Sequence, residues 1–92
     1  MYTEDFIQYL STQKRYSPHT ITAYRNDLSQ FIQYLIQDFD TSDVNAISHQ
    51  MIRTWVMTMM DAGVSARTVN RKLSALKTFY RYLRKNDIVK KN

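Results

Sequence analysis

At 92 residues, with one Gly, one Pro and no Cys, the chain has the length of a single small domain, few backbone breakers, and no means of building a disulfide or a cysteine-ligated zinc site. Its formal net charge of +5 is unevenly spread. Residues 1–64 carry four basic and seven acidic side chains, a net of −3, and residues 65–92 carry nine basic and one acidic, a net of +8; positive charge concentrated on one segment is the footprint of a polyanion binder, and equally of a solvated basic face with no partner.

Thr3, followed by Glu4 and Asp5, reads as the cap and acidic first turn of a helix, where carboxylates complement the helix dipole. Phe6, Ile7 and Leu10 share a face, which predicts a short first helix to about Lys14 that packs as a lid. Lys14, Arg15 and Tyr16 form a basic, aromatic connection. Ser17 and Pro18 then start a second helix, since Ser accepts from free first-turn amides and Pro is pre-set for the first helical position. Ile21, Tyr24, Leu28, Phe31, Ile32 and Leu35 hold its apolar stripe, opposite Thr22, Asn26, Gln30, Gln33 and Gln37. Those uncharged donors and acceptors suit base edges and sugar-phosphate oxygens.

The stretch FDTSDVNAI, Phe39 to Ile47, is the one substantial loop, with Val44 and Ile47 turned inward. Ser48 caps a third helix in which Met51, Ile52, Trp55, Val56, Met59 and Met60 give a wide apolar face, the pattern of a central core helix. Ala62 and Gly63 end it, Gly being free to turn left-handed. Ser65 caps the fourth helix, SARTVNRKLSALKTFYRYLRK. There Val69, Leu73, Leu76, Tyr80 and Leu83 form the apolar stripe, Phe79 and Tyr82 lie off its centre, and Arg67, Arg71, Ser74, Thr78, Arg81 and Lys85 lie opposite. The tail Asn86 to Asn92 loses periodicity and reads as the start of a linker. The expected fold is all-α, a compact bundle of four helices at about 3–14, 18–38, 48–62 and 65–85, with a domain over 1–85 and a linker over 86–92.

Two helix starts share one form, Ser17-Pro18-His19-Thr20 and Ser65-Ala66-Arg67-Thr68. Each is an ordinary cap, and together they could serve as a two-point phosphate clamp if aimed the same way. His19 and His49 are 30 residues apart without a carboxylate cluster, so no metal or other cofactor is expected. No paired carboxylates, Gly-rich phosphate loop or Ser-His-Asp set argues for catalysis. No apolar run approaches the roughly 20 residues that cross a bilayer, and the acidic start MYTEDF has no signal-peptide character. The expectation is a cytoplasmic protein with no membrane partner.

The runs SPHTITAYRNDLSQFIQYL and VSARTVNRKLSALKTFYRYLRK resemble the N-terminal core-binding, or SAM-like, domain of tyrosine recombinases of the phage integrase type. The resemblance is densest from Ser65 to Leu83, in the Ser-x-x-Thr start, Arg71, Leu73-Ser74-Ala75-Leu76, Phe79-Tyr80 and Tyr82-Leu83, with Tyr24, Asp27 and Leu28 matching on the second helix. It implies a four-helix domain that, with a following catalytic domain, clamps duplex DNA, the second and fourth helices facing the major groove. Carried onto this chain, the implied DNA contacts are Ser17, Thr20, Tyr24, Asn26, Ser65, Arg67, Thr68, Asn70, Arg71, Ser74, Lys77 and Arg81. The implied partners are double-stranded DNA and other protomers of the recombinase on it. The family's catalytic tyrosine, arginine, lysine and histidine motifs are absent here, so the expectation is an excised binding domain that is not itself an enzyme. The residues alone leave two alternatives open: a protein-interaction module with a basic face, and a free-standing helix-turn-helix regulator using the fourth helix for recognition.

Overall fold

The computed structural model describes residues 2–89. Among them are four α-helices, α1 (Thr3–Thr12), α2 (Pro18–Phe39), α3 (His49–Asp61) and α4 (Ala66–Lys85), one 3-10 turn at Val44–Ala46, and no strand. The all-α bundle expected from periodicity is therefore present, with boundaries within one residue except at the end of α1, which stops two residues early at Thr12. None of these helices is long and apolar enough to cross a membrane.

Local chemistry sets the element ends. Ser17, Ser48 and Ser65 each accept at Oγ from a first-turn backbone amide, of Thr20 at 3.3 Å, Met51 at 3.3 Å and Thr68 at 3.2 Å. Each cap satisfies a donor that the helix cannot pair internally. Gly63, at φ +87°, turns the chain out of α3 while its amide donates to Met60 O and that of Val64 to Met59 O, a closure that favours glycine. The first helix departs from expectation. Tyr2 occupies its cap position without a side-chain bond, and Thr3 lies inside the helix with its Oγ1 buried and unpaired.

Neither is α1 a lid. Phe6 and Leu10 are wholly buried, and the Phe6 ring lies 5.2 Å from that of Phe79 in an edge contact, the geometry aromatic pairs prefer. The centre of the core is shared by α2 and α4, not α3. From α2 come Leu28, Phe31, Tyr34 and Leu35, and from α4 come Val69, Ala75, Leu76, Phe79 and Leu83. By contrast α3 buries only Trp55 and Met59, and exposes Met57 and Met60. Its broad apolar face is larger than the surface it has to pack against: α3 packs chiefly on α4 and touches α2 through Trp55, whose ring lies 5.0 Å from that of Phe31 and 6.2 Å from that of Tyr34.

The loop after α2 is pinned at two points. Val44 is buried, as expected, and Ile47 is half-buried against the core. The Tyr80 hydroxyl donates to Val44 O at 3.1 Å, and Asn45 Nδ2 donates to Ile88 O at 3.2 Å. The second bond changes the reading of the tail. Residues 86–89 do not leave the domain as a free linker: Ile88 and Val89 join the core, and Ile88 N donates to Leu83 O at 2.9 Å. Residues 90–92 of the expected linker lie outside the described residues.

Candidate nucleic-acid interface

The two faces of α4 follow from the helical step of about 100° per residue. Arg67, Asn70, Arg71, Ser74, Lys77, Arg81 and Lys85 fall within an arc of about 120°, and every one is exposed. Val69, Lys72, Leu76, Phe79 and Leu83 fall opposite and are buried. The buried stripe is rotated by about 40° from the one the apolar residues predict. Phe79, expected off-centre, is 1% exposed, whereas Leu73 and Tyr80 are only half-buried. Besides Phe79, a charged residue takes part in the rotation: Lys72 lies in the middle of the buried face, where apolar periodicity has no place for it.

Lys72 is buried because it has partners. Its Nζ donates to Asp27 Oδ1 at 2.9 Å and to Gln30 Oε1. Arg71 joins the same carboxylate from the surface side, Nη2 donating to Oδ1 at 3.0 Å and Nε to Oδ2 at 3.2 Å. A carboxylate only 3% exposed thus accepts three charge-assisted bonds across the α2–α4 contact. One cation would leave the buried site neutral, and two leave a surplus positive charge that Arg71, with 56% of its side chain exposed, carries to the surface. Arg71 is therefore not a free surface cation, and Gln30, read as part of an open polar face, is committed to Lys72.

The other candidate residues divide by position. Ser17 with Thr20, and Ser65 with Thr68, repeat one geometry: the cap bond is accompanied by a 3.0 Å hydroxyl–hydroxyl bond in both. Ser17, Thr20, Asn26 and Ser65 are exposed, and Thr68 is half-buried. Tyr24 is half-buried, its ring 6.1 Å from Phe6 and 5.8 Å from Tyr16. An open groove of about 330 Å³ brings Thr20 and Tyr24 of α2 beside Arg71 and Ala75 of α4, with His19 at its rim and Asp27 at its floor. Thr20, Tyr24 and Arg71 thus share one surface, which the remaining α4 residues continue along the exposed arc. Sequence reasoning missed Asp27, Lys72 and Gln30 as a unit. Their signal was spacing: Asp27 stands four residues before Phe31, and Lys72 three after Val69 and four before Leu76, both on core faces. Among the described residues no group of three His, Cys, Asp or Glu side chains could hold a metal ion.

A tyrosine recombinase XerC of Pediococcus pentosaceus is 36% identical over 87 residues, which cover 95% of this chain and 29% of that protein. A tyrosine recombinase XerC of Oceanobacillus iheyensis is 33% identical over 92 residues, covering 100% of this chain and 30% of the relative. One from Rickettsia canadensis is 36% identical over 84 residues, 85% of this chain and 27% of its own length. The chain thus spans under a third of the length of these relatives. No solved structure matches it. The family described as phage integrase, N-terminal SAM-like domain, matches residues 3–87, which include all four helices, and the chain belongs to that family.

Proposed function

We propose that this chain is the duplex-DNA-binding module of a site-specific tyrosine recombinase, gripping the recombination site through α2 and α4. The observation that carries the reading is the exposed arc of α4, where Arg67, Arg71, Lys77, Arg81 and Lys85 stand with no acidic residue in the helix. Arg67, Lys77, Arg81 and Lys85 hold phosphates, Arg71 does so beside the α2 groove, and Asn70 and Ser74 between them reach sugar-phosphate oxygens or base edges. On the α2 side, Ser17, Thr20 and Asn26 supply hydroxyl and amide contacts, with Tyr24 walling the groove; Ser65 and Thr68 do the same where α4 begins. Strand cleavage and rejoining then belong to a further domain of the parent recombinase, reached through the linker. Ile88 and Val89 pack with the core, so on this reading they belong to the binding module. Duplex DNA is the partner on this reading, with other protomers of the recombinase assembled on it in the cytoplasm.

The test is titration of a short mixed-sequence duplex at several salt concentrations. Five phosphate contacts at about −0.9 each give a slope of log affinity against log salt of roughly −4 to −5. Salt-independent binding, or no binding to duplex at all, refutes the reading. An acidic protein that competes better than DNA favours the protein-interaction alternative instead.

A further inference from the structure

We propose that Asp27, which lies beneath the interface, is a positioning residue for it: its carboxylate orients the Arg71 guanidinium toward phosphate, and Lys72 supplies the counter-charge that leaves Arg71 its own. This deepens the DNA-binding reading above and rests on it. Arginine has five N–H donors in a rigid planar fork. Asp27 takes the Nε donor and one at Nη2, which fixes the plane of the fork and leaves the Nη1 edge and one Nη2 hydrogen for a ligand. A lone Asp27–Arg71 pair would hold the fork equally well, but would present phosphate with a neutralised cation. Lys72 removes that penalty, because its ammonium lies 2.9 Å from Asp27 Oδ1 and cancels the carboxylate charge inside the domain. The outcome is an arginine with full charge and few remaining rotamers. Because the groove that holds Thr20 and Tyr24 is floored by Asp27 and walled by Arg71, the ordered fork stands where the α2 and α4 contact surfaces meet.

The experiment uses the 92-residue chain and a short mixed-sequence DNA duplex. The paired variant Asp27→Asn with Lys72→Met removes one charge of each sign, so the net charge stays the same while Arg71 loses its anchor. Ordering one long side chain on binding costs enough to weaken affinity about three- to tenfold, and the salt slope stays at the wild-type value because no phosphate-binding charge is lost. Arg71→Ala, by contrast, lowers the slope by about one unit, and it costs less in the paired variant than in wild type. Arg71→Lys, an exposed change that keeps the charge but cannot form the fork, weakens binding by the same three- to tenfold at constant slope; it decides the matter if the paired variant loses its helical signal. Wild-type affinity in the paired variant or in Arg71→Lys overturns the positioning role while leaving DNA binding in place. Failure of the wild-type chain to bind duplex overturns both.

Discussion

Replacing Asp27 with Ala should be among the most damaging single changes in the domain, and the structure says why. The substitution deletes the acceptor of three bonds, at 2.9, 3.0 and 3.2 Å. It strands Lys72, whose side chain is 8% exposed, with only the neutral Gln30 carbonyl as partner. Breaking a buried pair in this way costs about 3–5 kcal/mol, since an uncompensated charge stays in a poorly solvated site. A domain of this length has a total stability of roughly 5–14 kcal/mol. At about 4–8 °C per kcal/mol, the midpoint of thermal unfolding should fall by at least about 12 °C. Lys72→Met is the informative contrast. Asp27 then keeps both bonds from Arg71, and the Met side chain occupies much of the space of the lysine stem, so the loss should be less than half as large. Melting both variants by far-ultraviolet circular dichroism checks the asymmetry. The reasoning fails if Asp27→Ala melts within about 3 °C of wild type, or if Lys72→Met is the worse of the two.

The pinned loop and the alkaline limb of stability offer two further tests. Tyr80→Phe removes the hydroxyl that donates to Val44 O while keeping the ring in place; it should cost about 1 kcal/mol and increase amide exchange across residues 43–46, measured by hydrogen exchange, with α1 unaffected. Burial, and secondly the negative charge of Asp43, push the Tyr80 hydroxyl well above its ordinary value, and burial also raises Tyr34 and Tyr82. A raised folded value means that the neutral phenol is favoured in the fold. Its contribution is complete below pH of about 10, where the unfolded phenol titrates, and is lost as pH rises toward the folded value. Phenolate absorbance should therefore grow together with loss of helical signal in strong alkali, and Tyr80→Phe should flatten that fall. A Tyr80 phenolate that forms while the helices remain intact contradicts the role of the buried donor.

Much of the fold was legible because its signals are local. Ser17, Ser48, Ser65, Pro18 and Gly63 each act within one turn of themselves, so their positions alone mark where helices begin and end. The ranking of the helices was not legible. Apolar breadth made α3 look central, yet breadth measures how much a helix could bury and not how much neighbouring surface exists to bury it. Of that face only Trp55 and Met59 are buried, and Met60 at its edge remains exposed. A separate long-range bond explains the tail: loss of periodicity after Lys85 correctly signalled the end of a helix, but it could not show that Asn45, 43 residues earlier, would hold Ile88 in place.

For the candidate site, sequence periodicity separated the two faces of α4 but placed their boundary wrongly, because both Phe79 and Lys72, left off the apolar stripe, are buried. Counting apolar residues gives Lys72 no place on the core face. The carboxylate that buries Lys72 comes from α2, 45 residues away, and no window along the chain contains both. What the sequence does contain is a pair of opposite charges each set at core spacing on its own helix, a combination that is stable only if the two meet. Read that way, Asp27 and Lys72 together locate the α2–α4 contact and assign Lys72 to the interior. They also leave Arg71, one residue away and one third of a turn toward solvent, as the cation whose charge remains for a ligand.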